Sequence, residues 1–205
     1  MSDIWDLLVS VFIQLGLFSL IPVVVWFVMR RLGRTGEDLF PWVGIKPIRT
    51  NNAIRFWITF FAIFAGVCLV SILAIPLILG DSESASSQFR GQGTSAVPGI
   101  LIFAIIQTGL SEEILFRGFI GKRLIASLGF AAGNLIQATL FGLMHGALFL
   151  MMIDAPRALA LTIMTGAIGW IEGWLNEKRA DGSIIPSWIF HALTNIAAGL
   201  GAAFG

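Results

Sequence analysis

Two adjacent glutamates, two histidines and one asparagine carry the chemistry this sequence is equipped for. Glu112 and Glu113 stand in Ser111-Glu112-Glu113-Ile114-Leu115-Phe116-Arg117, His145 follows Phe141 by four residues, and His191 precedes Asn195 by four. On a helix Glu113 and Arg117 share a face and can pair, whereas Glu112 is rotated about 100° and points elsewhere. The same spacing lets Phe141 wall the pocket that holds the His145 ring, and lets His191 and Asn195 present two hydrogen-bond donors in one direction. A carboxylate with a histidine can orient a water and take its proton. A histidine with an amide can donate to the oxyanion formed when that water attacks a carbonyl. This is the equipment of a hydrolase acting on an amide.

Other nucleophiles do not compete. There is no G-x-S-x-G motif, and the single cysteine, Cys68, lies in another apolar stretch with no histidine beside it. The H-E-x-x-H spacing of common zinc proteases is missing too. Glu112, His145 and His191, coming from three separate helices, are the residues that would hold a divalent metal such as zinc, although none is expected. Glu172 reads slightly better as a structural polar contact than as part of a site.

The elements that must position these residues lie in a membrane. Of 205 residues, 57% are hydrophobic and only 12% charged, about half the share of charged residues in soluble domains. Mean hydropathy is +0.88. A net charge of +1 excludes a nucleic-acid binder working through bulk charge. Two long apolar stretches, about Ile4 to Met29 and Ala53 to Gly80, read as plain crossings. The first opens on Asp3 and Asp6 in place of a basic region, so it is not expected to be a cleaved signal peptide. Four more stretches, about Ile100 to Ile120, Phe130 to Ile153, Arg157 to Leu175 and Ile184 to Phe204, contain the polar residues above. A membrane protein places charge inside a span where it has chemistry to do, so these four are the functional half.

Six crossings put eleven of the 13 Lys and Arg residues on one side, leaving only Arg90 and Arg157 on the other. That side is the cytoplasm, and both termini lie outside. In the first cytoplasmic loop, Phe40, Trp42 and their apolar neighbours read as an interfacial anchor.

The three ordered motifs, Glu112-Glu113-x-x-x-Arg117, Phe141-x-x-x-His145 and His191-x-x-x-Asn195, resemble those of the CPBP family, the CAAX proteases and bacteriocin-processing enzymes also called the Abi family. The run from Gly166 through Asp181-Gly182-Ser183-Ile184-Ile185-Pro186 into His191 is similar as well, so the likeness covers about half the chain. It implies an all-α integral membrane protein, a bundle of about six transmembrane helices with a polar cavity open to the cytoplasm. Residues 1–98 would supply two N-terminal helices and a basic loop, and residues 99–205 a catalytic core of four helices.

The implied activity is a glutamate-type intramembrane endopeptidase. Glu112 and His145 would activate the water, His191 and Asn195 would form the oxyanion hole, and Glu113, Arg117 and Phe141 would support them. Its partners would be a peptide or protein substrate, lipidated or membrane-bound, and the bilayer, here that of a prokaryotic cell. Two other classes fit the composition: a non-catalytic scaffold or bacteriocin self-immunity protein binding a partner in the same cavity, and an ion-coupled transporter. The lack of a second inverted half counts against the transporter.

Overall fold

The computed structural model describes residues 2–205, with side chains from Trp5 onward. Among them every regular element is helical. Six long helices follow one another: α1 (Ser2–Arg31), α2 (Ala53–Leu79), α3 (residues 97–128), α4 (Phe130–Phe149), α5 (Ala155–Trp174) and α6 (Ile185–Phe204). Their boundaries follow local chemistry. Asn52 and Asp154 cap α2 and α5 by accepting from the amides of Arg55 and Arg157, at 2.9 and 3.0 Å. Pro98, Pro156 and Pro186 sit in the first turns of α3, α5 and α6, where a missing N–H costs nothing. Gly80 and Gly129, at φ 56° and 79°, end α2 and α3 in conformations that side chains resist.

Four stretches are long and apolar enough to cross a bilayer: Trp5–Arg31, Ala53–Leu79, Gly93–Leu128 and Ala155–Arg179. The remaining two of the six expected crossings, α4 and α6, are helices of 20 residues that fall short in apolarity. Asn134, Gln137 and His145 dilute the first, and Ser187, His191, Thr194 and Asn195 the second. Phe12, Leu17, Ile58 and Leu73 on α1 and α2 are each more than half exposed. An apolar surface of that extent is covered by lipid, and the chain is an integral membrane protein.

The helices form two compact units that interleave along the sequence. The first comprises residues 2–47, 85–120 and 183–205, and so holds α1, most of α3 and α6. Its core gathers Leu7, Val11, Phe89, Ala96, Ile100, Phe103, Ala104 and Ala203. A polar ladder ties α1 to α3: the Gln107 amide donates to Ser10 Oγ at 2.7 Å and to Gln14 Oε1 at 3.2 Å. Gly199 brings α6 onto Ile100, leaving 2.8 Å between an added Cβ and that side chain. A one-turn helix, Leu39–Trp42, leads into a loop that docks on both α3 and the start of α6. Ile184 N donates to Gly44 O at 2.9 Å, and Ser183 Oγ donates to Lys46 O at 2.6 Å. The expected aromatic anchor is thereby corrected. Phe40 is exposed, but Val43 is buried where Gly118 has no side chain to hold its carbonyl away from α3, and Trp42 is buried against Phe119.

The second unit comprises residues 48–84 and 121–182, with α2, the end of α3, α4 and α5. Small residues let α4 and α5 meet closely. A Cβ on Gly142 would lie 2.3 Å from the Thr162 carbonyl oxygen, and one on Gly173 1.9 Å from Asn134 Oδ1. Across that seam Asn134 Nδ2 donates to Trp170 O at 2.9 Å, and Gln137 Nε2 to Gly169 O at 3.0 Å. Beyond α5 a π-helical turn, Leu175–Arg179, carries Glu177, which pairs with Lys122 Nζ at 3.1 Å.

Candidate active site

The glutamates stand on an unusual piece of helix. Two π-helical stretches, Phe103–Leu110 and Ile114–Gly121, flank the α-helical triplet Ser111–Glu113. Such i→i+5 winding is rare and is frequently found at functional sites. It is built into the sequence at Gly109, where a Cβ would sit 2.4 Å from the Ala104 carbonyl oxygen.

Glu112, Glu113 and Arg117 are all buried here, as is His191 on α6. Arg117 Nη1 meets Glu113 Oε1 at 2.9 Å, the pairing their four-residue spacing implies. His191 Nδ1 lies 3.1 Å from the same Glu113 oxygen, and its Nε2 lies 3.8 Å from Glu112 Oε2. The imidazole is therefore set between both glutamates. With Glu113 paired to the guanidinium, its oxygen is placed to accept the Nδ1–H and fix the ring's orientation. The Ser187 hydroxyl, one turn before His191, also reaches Glu113. Nε2 is thus aimed at Glu112 across a gap too long for a direct hydrogen bond.

One turn further along α6, Asn195 Nδ2 donates to Thr108 Oγ1 at 2.7 Å. Thr108 precedes Glu112 by four residues, just as His191 precedes Asn195, so α3 and α6 face each other through two polar rungs. The Trp188 indole adds a third link, donating to Ile105 O at 2.7 Å.

Phe141 and His145 lie on α4 in the second unit and form a pair of their own. Their rings are 4.4 Å apart, and His145 Nδ1 is 2.9 Å from the Phe141 carbonyl oxygen. A carbonyl can only accept, so the proton sits on Nδ1 and the lone pair on Nε2, the form suited to a base. Glu172, also in the second unit, is buried on α5.

The first unit also holds an apolar cavity of about 450 Å³. Phe12, Leu15 and Gly16 of α1 line one side, Phe40 and Val43 of the docked loop another. Leu110 and Ile114 of α3, the residues two before and two after Glu112, also line it. It could take an extended apolar group.

The expected residues Glu112, Glu113, Arg117 and His191 are thus brought together in the first unit with Asn195 one turn away, and Phe141 and His145 are brought together in the second. Sequence reading missed Thr108 and Ser187. Both are one helical turn from residues it singled out, and that spacing is the signal that finds them.

A family model described as type II CAAX prenyl endopeptidase Rce1-like matches residues 94–197, just over half the chain and the stretch that carries all three motifs. No curated protein and no solved structure matches it.

Proposed function

The chain belongs to the Rce1-like family of type II CAAX prenyl endopeptidases, and from that membership we propose that it is an intramembrane endopeptidase hydrolysing a peptide bond near the cytoplasmic membrane face. The observation that carries this reading is the His191 imidazole held by Glu113 and aimed at Glu112, all three buried on helices of an integral membrane protein. Buried charge of this kind within a membrane helix calls for a function.

In this mechanism Glu112 takes a proton from water as the water oxygen attacks the scissile carbonyl carbon. His145 shares in orienting that water, a role the family resemblance assigns and the lone pair on its Nε2 supports. The carbonyl oxygen becomes an oxyanion and accepts from His191 Nε2 and Asn195 Nδ2. Because His191 also donates Nδ1–H to Glu113, it works as the imidazolium, a cation supported by the carboxylates on either side. When the carbon–nitrogen bond breaks, the proton held by Glu112 passes to the leaving amine. The reading needs no metal. If one is bound, Glu112, His145 and His191 are its ligands, and it supplies Lewis-acid polarisation of the carbonyl.

The substrate is a peptide or protein at the membrane. The apolar cavity between α1, the docked loop and α3 supports one whose attached lipid or apolar segment lies along α1. The charge pattern supports six crossings with basic loops in the cytoplasm and both termini outside, and the family resemblance supports a prokaryotic cell membrane and a catalytic core over residues 99–205.

The test is comparative peptide profiling of membranes containing equal amounts of folded wild-type, Glu112→Ala and His145→Ala protein. Peptides released by the wild type and lost in both variants are expected. Undiminished release would sink the catalytic assignment, and rescue of the cellular phenotype by Glu112→Gln would favour a binding role. Chelation is expected to leave the activity unchanged, whereas loss on chelation and recovery on adding zinc would make the enzyme a metalloprotease.

A further inference from the structure

The direction of hydrogen bonding around Thr108 accounts for the amide orientation on which the mechanism above depends. Thr108 Oγ1 lies 3.0 Å from the carbonyl oxygen of Phe103, five residues back, within the π-helical stretch. A backbone carbonyl can only accept, so the single hydroxyl proton of Thr108 is committed to it. Toward any other partner Thr108 can then only accept. Asn195 is that partner, at 2.7 Å, and must present its NH2 group and not its oxygen. The orientation of an amide is normally inferred from its surroundings, and here a chain of three groups, carbonyl, hydroxyl and amide, dictates it.

We propose that Thr108 is a positioning residue that locks the Asn195 carboxamide with its NH2 toward α3, one N–H committed to Thr108 and the other directed to the oxyanion. The proposal rests on the reading of Asn195 as an oxyanion donor, and it gives the rare winding of α3 a purpose. The i→i+5 turn places the Phe103 carbonyl where it takes the Thr108 proton, and Gly109 permits that turn. A donor fixed before the reaction stabilises developing charge without reorganising, and that advantage is what Thr108 provides.

The test has a spectroscopic arm and a kinetic arm. Protein labelled with 15N-asparagine carries five side-chain amides, at residues 51, 52, 134, 176 and 195, and Asn195→Ala identifies the fifth. In detergent micelles the two Asn195 amide protons should be widely separated and one slow to exchange. That signature should vanish in the near-isosteric Thr108→Val and persist in Thr108→Ser. In the kinetic arm, on a peptide whose release depends on Glu112, Asn195→Ala should lower kcat roughly 10²-fold. Thr108→Val should lower it by about tenfold with KM nearly unchanged, Thr108→Ser should restore most of the loss, and Thr108→Val should add nothing on an Asn195→Ala background. An unchanged Asn195 signature in Thr108→Val overturns the proposal, as does wild-type kcat in Thr108→Val where Asn195→Ala is impaired. Full activity in Asn195→Ala would instead overturn the oxyanion assignment, with the Thr108-dependent signature still present.

Discussion

Arg117 shows why stability and activity must be separated in this cluster. Its guanidinium and the Glu113 carboxylate are both buried and 2.9 Å apart. Removing the guanidinium leaves His191 alone to balance two buried glutamates, so Arg117→Leu should destabilise the protein by roughly 3 kcal/mol. Replacing both, as Arg117→Leu with Glu113→Leu, should recover much of that stability and still leave the enzyme inactive, because His191 loses the carboxylate that orients it. Thermal denaturation in detergent, run beside the peptide-release assay, separates the two effects. The four-residue spacing made the Glu113–Arg117 pair readable from the residues alone. That one histidine engages both adjacent glutamates was not readable, because a regular helix turns consecutive side chains about 100° apart. The wider turns on either side of Ser111–Glu113 leave no trace in the hydrophobic pattern.

At the level of elements, small residues decide which helices approach and where space remains. α4 and α5 meet through Gly142 and Gly173, so Gly142→Leu should weaken the second unit by forcing the Thr162 carbonyl away. A lower unfolding temperature with loss of the folded fraction in detergent would register it. Gly16 on α1 is the opposite case. A Cβ there meets nothing within 4 Å, and the residue lines the apolar cavity. Gly16→Phe should therefore leave the unfolding temperature unchanged while raising KM for a lipidated substrate more than for its unlipidated counterpart. Four of the helices were readable from apolar length, whereas α4 and α6, diluted by polar residues, fall short of it. The docked loop was not. Trp42 carries the composition of a membrane-surface anchor, yet it is buried and packs on Phe119, 77 residues later in the chain, with ring centroids 5.9 Å apart.

For the whole molecule, the distribution of charge orients the chain, and the orientation is open to direct measurement. In a Cys68→Ser background, Ser95→Cys should react with a membrane-impermeant thiol reagent added to intact cells, and Thr35→Cys only after the membrane is opened. The reverse pattern would invert the topology and move the reaction to the other face. Two compact units, by contrast, were not foreseeable from a split into an N-terminal pair of helices and a catalytic core. Proximity in these units is set by packing of segments far apart in sequence, which local composition does not encode.

The interleaving of the first unit also bears on how the protein is made. Glu113 leaves the ribosome 78 residues before His191, and Arg117 can pair with it at once because both belong to α3. At about 5–20 residues per second, α3 waits roughly 4–16 s for its histidine. Through that interval Glu113 lacks His191 and Thr108 lacks Asn195. The polar rungs that join α3 to α6 therefore close only once α6 has been made.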